Sequence, residues 1–238
     1  MDNLEQRAGM NFVLRDIARE ELATLLPHMQ TREVEAREVL HQAGEPIRYV
    51  YLPLSALMSM LMPTSDGATV ELATVGREGL TGISALLDES SAREQGALAK
   101  VVTVVPGTVI RMKSDLLRNA METHLTVARS IRRYLSQLVT DLALSVTCNR
   151  LHSLEQRCAK WLLTAMDKSG TSDIPVTQEL LAGILGVYRQ SVVQVVSDFE
   201  AAGLIRGGRG SIRLVSRERL TTMVCECYQI SVKRGVRT

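Results

Sequence analysis

Residues 176–205 read VTQELLAGILGVYRQSVVQVVSDFEAAGLI, and this stretch decides the fold of the C-terminal third. Thr177 can cap a short helix over 178–185, whose apolar face is Leu181, Ile184 and Leu185. Gly186 then permits the sharp turn that lets two helices cross steeply. A second helix is expected over 188–202, with Val192, Val195, Val196 and Phe199 on its inner face at 3–4 spacing. Its outer N-terminal face carries Tyr188, Arg189, Gln190, Ser191 and Gln194, polar and long enough to reach base edges.

Directly downstream, 204–214 reads LIRGGRGSIRL, two short strands around a glycine turn that bear Arg206, Arg209 and Arg213. Helix, glycine turn, polar-tipped helix and basic hairpin in that order predict a winged helix-turn-helix reading double-stranded DNA. Arg189 suits bidentate contact with a guanine, and Gln190 and Gln194 suit neighbouring bases in a major groove that admits a helix N-terminus. Thr177, Gln178 and Ser191 suit phosphate oxygens, and Arg206 and Arg209 suit the backbone beside the wing.

Upstream, a helix over 154–166 contains the one tryptophan, Trp161, and a polar loop follows at 168–173. The stretch 114–145 has helical period: Ala128, Ile131, Leu135, Leu138, Leu142 and Ser145 recur at 3–4 spacing, widened by Leu125 and Val139. Free of Gly and Pro, it predicts one long helix with a seam for a partner helix, hence a homodimer. Before it, apolar runs at 38–40, 49–52, 57–62, 70–75 and 101–105 alternate with turns such as Asp66-Gly67 and Pro106-Gly107. These predict an antiparallel β-roll behind a leading helix over 16–26. The fold class is α+β, divided as a roll over 1–113, a dimerisation helix over 114–147 and a DNA-binding domain over 148–238.

Composition narrows the function classes. A net charge of +2 does not advertise nucleic acid, so the DNA reading rests on where the charges lie. Aromatic content of 3% weighs against stacking on single strands. Cys148, Cys158, Cys225 and Cys227 form no CxxC pair and have no histidine at zinc-finger spacing, so neither a metal nor a cofactor is expected. Glu71 reads as hairpin surface chemistry. No GxSxG, P-loop, dinucleotide fingerprint or HExxH is present, which predicts a protein that is not an enzyme. The first 21 residues lack an apolar core and no run of about 18 apolar residues occurs, so neither secretion nor membrane insertion is expected and the cytoplasm is.

The segments TQE at 177–179, GVYRQSV at 186–192 and AGLI at 202–205 resemble the CRP/FNR superfamily of bacterial regulators, and the likeness covers nearly the whole chain. The resemblance implies that Arg189 contacts a guanine. At the two other family base-reading positions stand Gln190, where an acidic residue is frequent, and Gln194, where a second arginine occurs. The N-terminal half resembles the family's cyclic-nucleotide-binding roll through YVYLPLSA at 49–56 and VGREGLTG at 75–82, which implies an effector pocket at Gly76, Glu78 and Gly79. The family's phosphate-gripping Arg-Ser/Thr pair would fall at Ala97-Leu98, with Arg93 and Lys100 out of register, so the effector is expected to be something other than a cyclic nucleotide. An iron–sulfur sensor needs clustered thiolates near the N-terminus, and His28, His41, His124 and His152 read as lone histidines rather than haem ligands. The resemblance also makes RNA polymerase a candidate partner. The competing readings are a cyclic-nucleotide-responsive regulator of the same architecture and a winged helix that binds protein.

Overall fold

Among the described residues, seven strands build the N-terminal half: β1 (Gln30–Val34), β2 (Val39–His41), β3 (Tyr49–Pro53), β4 (Leu57–Pro63), β5 (Thr69–Val75), β6 (Lys100–Val105) and β7 (Gly107–Lys113). The computed structural model describes residues 2–65, 67–87 and 96–235, so Asp66 and Arg93 lie outside the described residues. Two antiparallel sheets form, ordered β1-β7-β3 and β2-β6-β4-β5. Val34, Tyr51, Met58, Val75, Val101 and Val109 close the space between them. Strand β1 escapes the sequence reading because of the five residues QTREV only Val34 is buried. Strand β7 escapes it because Arg111 and Lys113 break the apolar run, yet it is the central strand of its sheet.

The other face of the first sheet is covered by helices. The helix expected over 16–26 is α3 (Arg19–Leu25), and two further short helices, α1 (Asp2–Ala8) and α2 (Phe12–Arg15), precede it. Buried Asn11 caps α2, and its amide donates to the carbonyls of Pro53 and Gly79 at 3.0 and 2.9 Å. After a short α4 (Ser84–Leu87), the helix expected over 114–145 is two: α5 (Ser114–Thr123) and α6 (Leu125–Leu151). The break is at His124, whose backbone is extended. Glu21 of α3 causes it by accepting from the N–H groups of Thr126 and Val127, an N-cap supplied from more than 100 residues away. Periodicity cannot report such a distant cap.

In the single chain, the first half of the α6 face that the period picks out points inward. Ile131 is buried in the roll's own core with Leu14, Leu52 and Ile110, Leu135 and Leu138 pack on its edge, and Ala128 is buried too. Gly79 lets Tyr134 approach so closely that a Cβ would stand 2.2 Å from the ring. The outward row is Ser136, Val139, Ala143 and Val146, with Val139 at 64% and Val146 at 70% exposure. Leu125 is exposed near the helix start.

The C-terminal unit comprises α7 (Leu154–Ser169), β8 (Asp173–Ile174), α8 (Gln178–Leu185), α9 (Arg189–Ala201), β9 (Ile205–Gly207), β10 (Ile212–Leu214), α10 (Arg217–Thr221) and α11 (Glu226–Gly235). Ser153 and Gln156 start α7 with a reciprocal capping box. Leu162, Leu163, Ile174, Leu181, Val192 and Phe199 share one core. Polar contacts fasten this unit to the roll: Trp161 donates to Glu71 at 3.0 Å, and the Lys168 ammonium lies 2.7 Å from Glu78 and 2.6 Å from the Thr74 carbonyl. Glu71 therefore sits under Trp161 rather than on an open turn. Burial pushes its carboxyl above the usual range even though Ser59, Thr74 and Trp161 all donate to it.

Candidate nucleic-acid interface

Thr177 caps α8, its hydroxyl accepting from the Leu180 N–H at 3.2 Å. Gly186 ends that helix in the left-handed region, at φ 63°, where a Cβ is disfavoured. The joint over 186–188 turns the chain by 110° into α9, within the crossing range of a helix-turn-helix. Val192, Val195, Val196 and Phe199 anchor α9 inward as expected, which leaves Tyr188, Arg189, Gln190, Ser191 and Gln194 exposed. Tyr188, the N-cap, is 87% exposed.

Strands β9 and β10 pair as the wing, and β8 extends the sheet on the other side of β10. Arg206 and Arg209 are exposed on it. Arg213 is engaged instead by Asp173 at 2.7 Å and holds the sheet together. Thr177, Gln178, Arg189, Gly208 and Ser211 line one cleft between α8, α9 and the wing. Arg189 lies 3.7 Å from Glu179, a pair exposed on both sides and worth about 0–1 kcal/mol, so it does not hold Arg189 back from a stronger partner. Gln194 donates to Asp198 at 2.9 Å. Sequence reasoning missed Arg37. A Cβ on Gly210 would lie 3.6 Å from its guanidinium, so a turn of the roll brings a further cation to the wing. Nothing local in the sequence signals that approach.

Comparison with known proteins fits this geometry domain by domain. The Crp-like helix-turn-helix domain matches residues 156–223, and the cyclic nucleotide-binding domain matches residues 31–124. A CRP-like cAMP-activated global transcriptional regulator of Mycobacterium tuberculosis is 22% identical over 227 residues, 92% of this chain and 98% of the relative. A transcriptional regulator of the CRP/FNR family from Eubacterium rectale shares the fold, with a TM-score of 0.69, 18% identity and coverage of 89% of this chain and 96% of that one. The chain belongs to the CRP/FNR superfamily. The c-di-GMP responsive global regulator CLP of Xanthomonas campestris has the same fold at a TM-score of 0.66 and 18% identity, covering 84% of this chain and all of that one. The protein is a CRP-like transcription regulator with a helix-turn-helix DNA-binding domain.

In this CRP/FNR member the roll holds a cavity of about 210 Å³ against α6. Its wall is made by Gly82-Ile83-Ser84, Ala97-Leu98-Ala99, Met60, Leu72 and His41, closed by Leu138 and Leu142. Gly76, Glu78 and Gly79 lie elsewhere: Glu78 binds the Gly76 N–H and Lys168, and Gly79 packs on Tyr134. Leu138 and Leu142, expected in a dimer seam, also line this cavity in the single chain. Among the described lining residues the polar side chains are His41 and Ser84, and none is a lysine or arginine.

His41 is buried, faces the Thr81 hydroxyl at 3.2 Å and stacks edge-on to Tyr51. Burial pushes its pKa down to about 4. In the unfolded chain it protonates near 6.5, so between those values the unfolded state holds the extra proton. The stability His41 confers is present above 6.5 and is lost as pH falls towards 4, by up to about 1.4 kcal/mol per pH unit. Melting curves at pH 7 and pH 5 should show a larger acid loss for wild type than for His41→Phe. Equal losses would mean that His41 is not the buried neutral group described.

Proposed function

We propose that the protein is a homodimeric regulator that reads an inverted repeat, with an effector that is not a cyclic nucleotide. The observation that carries the DNA reading is the polar first turn of α9. It is held at 110° to α8 by a buried valine face and flanked by the exposed Arg206 and Arg209 of the wing. Arg189 reads a guanine, Gln190 and Gln194 read its neighbours, and Tyr188 packs beside them at the groove entrance. Thr177, Gln178, Ser191, Arg206 and Arg209 hold phosphates and set register.

Dimerisation follows from the outward row of α6. Ser136, Val139, Ala143 and Val146 are spaced 3-4-3, the period of a two-helix seam, and exposed valines there gain by facing a second copy. Two-fold pairing sets the two α9 helices about one DNA turn apart. The effector reading rests on the cavity: among its described lining residues, Ala97 and Leu98 included, no lysine or arginine offers a counter-charge to a cyclic phosphate. The M. tuberculosis relative is cAMP-activated by name, and adding cAMP in the assay below separates that reading from this one. As a DNA reader the protein acts in the cytoplasm, beside RNA polymerase, and catalyses no reaction.

Fluorescence anisotropy of the purified protein on its own upstream duplex and on a scrambled duplex, across a salt series, tests the reading. Selective binding without effector, weakening steeply as salt rises, is expected from counterion release. Equal binding to both duplexes, or selectivity that appears only with cAMP, goes against it.

A further inference from the structure

Four soft donors converge where the end of α6 meets the start of α11. Cys148 sits in the last turn of α6, and His152 caps that helix four residues later. Cys225 and Cys227 flank Glu226 at the start of α11, 75 to 77 residues away in sequence. The ligand atoms of all four lie within 4.8 Å of one another. The Cys148 and Cys225 sulfurs are 3.6 Å apart, and the Cys227 sulfur is 3.8 Å from Nδ1 of His152. The three thiols are buried, at 3%, 3% and 1% exposure.

These spacings suit a single tetrahedral ion. Zn–S bonds of about 2.3 Å and Zn–N bonds near 2.0 Å give ligand–ligand edges of roughly 3.5–3.8 Å. An iron–sulfur cluster spreads its thiolates over separate irons and needs wider-set ligands. The surroundings are those of a metal-bound histidine: Nε2 of His152 lies 3.3 Å from the Glu226 carboxylate, which fixes the ring with Nδ1 turned to the sulfurs. We propose that Cys148, His152, Cys225 and Cys227 form a structural zinc site that clips α11 to the end of α6. This proposal departs from the expectation of no metal: the donors come from two helices brought together by the fold, so no local spacing displays them. Cys148, His152, Cys225 and Cys227 all lie outside the segments matched by the family's domains, 31–124 and 156–223.

Binding converts three thiols to thiolates and releases their three protons to solvent, with His152 neutral, so no oxidant or reductant enters. The clip joins the helix proposed for pairing to the last helix of the C-terminal unit.

The test uses untagged full-length protein purified under reducing conditions. Elemental analysis is expected to give one zinc per chain. After chelation, Co²⁺ titration is expected to saturate at one equivalent, with the intense visible bands and sulfur-to-cobalt charge transfer of a tetrahedral thiolate site. Cys225→Ser/Cys227→Ser should lose both signals. Glu226→Gln, which leaves all four ligands in place, should weaken binding about 10-fold. If the double variant does not fold, the wild-type cobalt spectrum and the Glu226→Gln shift still decide. No zinc and no thiolate–cobalt bands would overturn the site, as would bands unchanged in the double variant. Iron with acid-labile sulfide, or a Cys148–Cys225 disulfide in protein kept reduced, would overturn it too.

Discussion

Val139→Glu/Val146→Glu is expected to leave the protein monomeric and to lower its affinity for an inverted-repeat duplex by about 10²- to 10⁴-fold, the advantage that linking two half-sites confers. Both side chains face solvent in the single chain, at 64% and 70% exposure, so the substitutions leave the roll's core untouched. In a two-fold pair each glutamate would meet its own copy across the seam, and like charges desolvated together cost several kcal/mol. Sedimentation and DNA binding should fail together while circular dichroism stays that of wild type. The inward positions offer the contrast. Ile131→Glu would bury a charge in the roll and unfold it, a loss of fold rather than of pairing. A double variant that remains dimeric would remove α6's outward row from the interface.

Arg189→Ala is expected to cost about 1–3 kcal/mol per half-site and to relax selectivity at one base pair. The argument is local. Arg189 opens α9 at its exposed end, it pairs only loosely with Glu179, and its fork matches the O6 and N7 acceptors of guanine. Arg209→Ala makes the control: without this phosphate-holding cation on the wing, all sequences should bind more weakly alike, with a salt slope reduced by about 1. Affinity and preference, measured on duplexes varied at each position, separate the two roles. Loss of affinity with base preference unchanged would make Arg189 a phosphate ligand.

The helix-turn-helix is legible in the sequence because everything it needs is local. Thr177, Gly186, the valine face and the basic hairpin follow one another along a single stretch of chain, and each acts within a turn or two of its own position. The roll is legible as strands but not as a pocket. Its cavity wall joins Gly82–Ser84 to Ala97–Ala99 and to α6, and only tertiary packing makes those segments neighbours. Helix α6 shows the limit of periodicity most clearly. The apolar stripe Ala128-Ile131-Leu135-Leu138 marks a buried face, but a stripe does not say whether the roll or a second copy buries it. The break at His124 depends on Glu21, and the four-donor cluster depends on two helices far apart in the chain. Neither leaves a local trace.

The most direct test of a dimer reading an inverted repeat is selection of bound sequences from random duplexes by the purified protein. The account predicts enrichment of two inverted half-sites, each with an invariant guanine, centred about 10–10.5 base pairs apart. A single half-site, a direct repeat or no enriched sequence would contradict it.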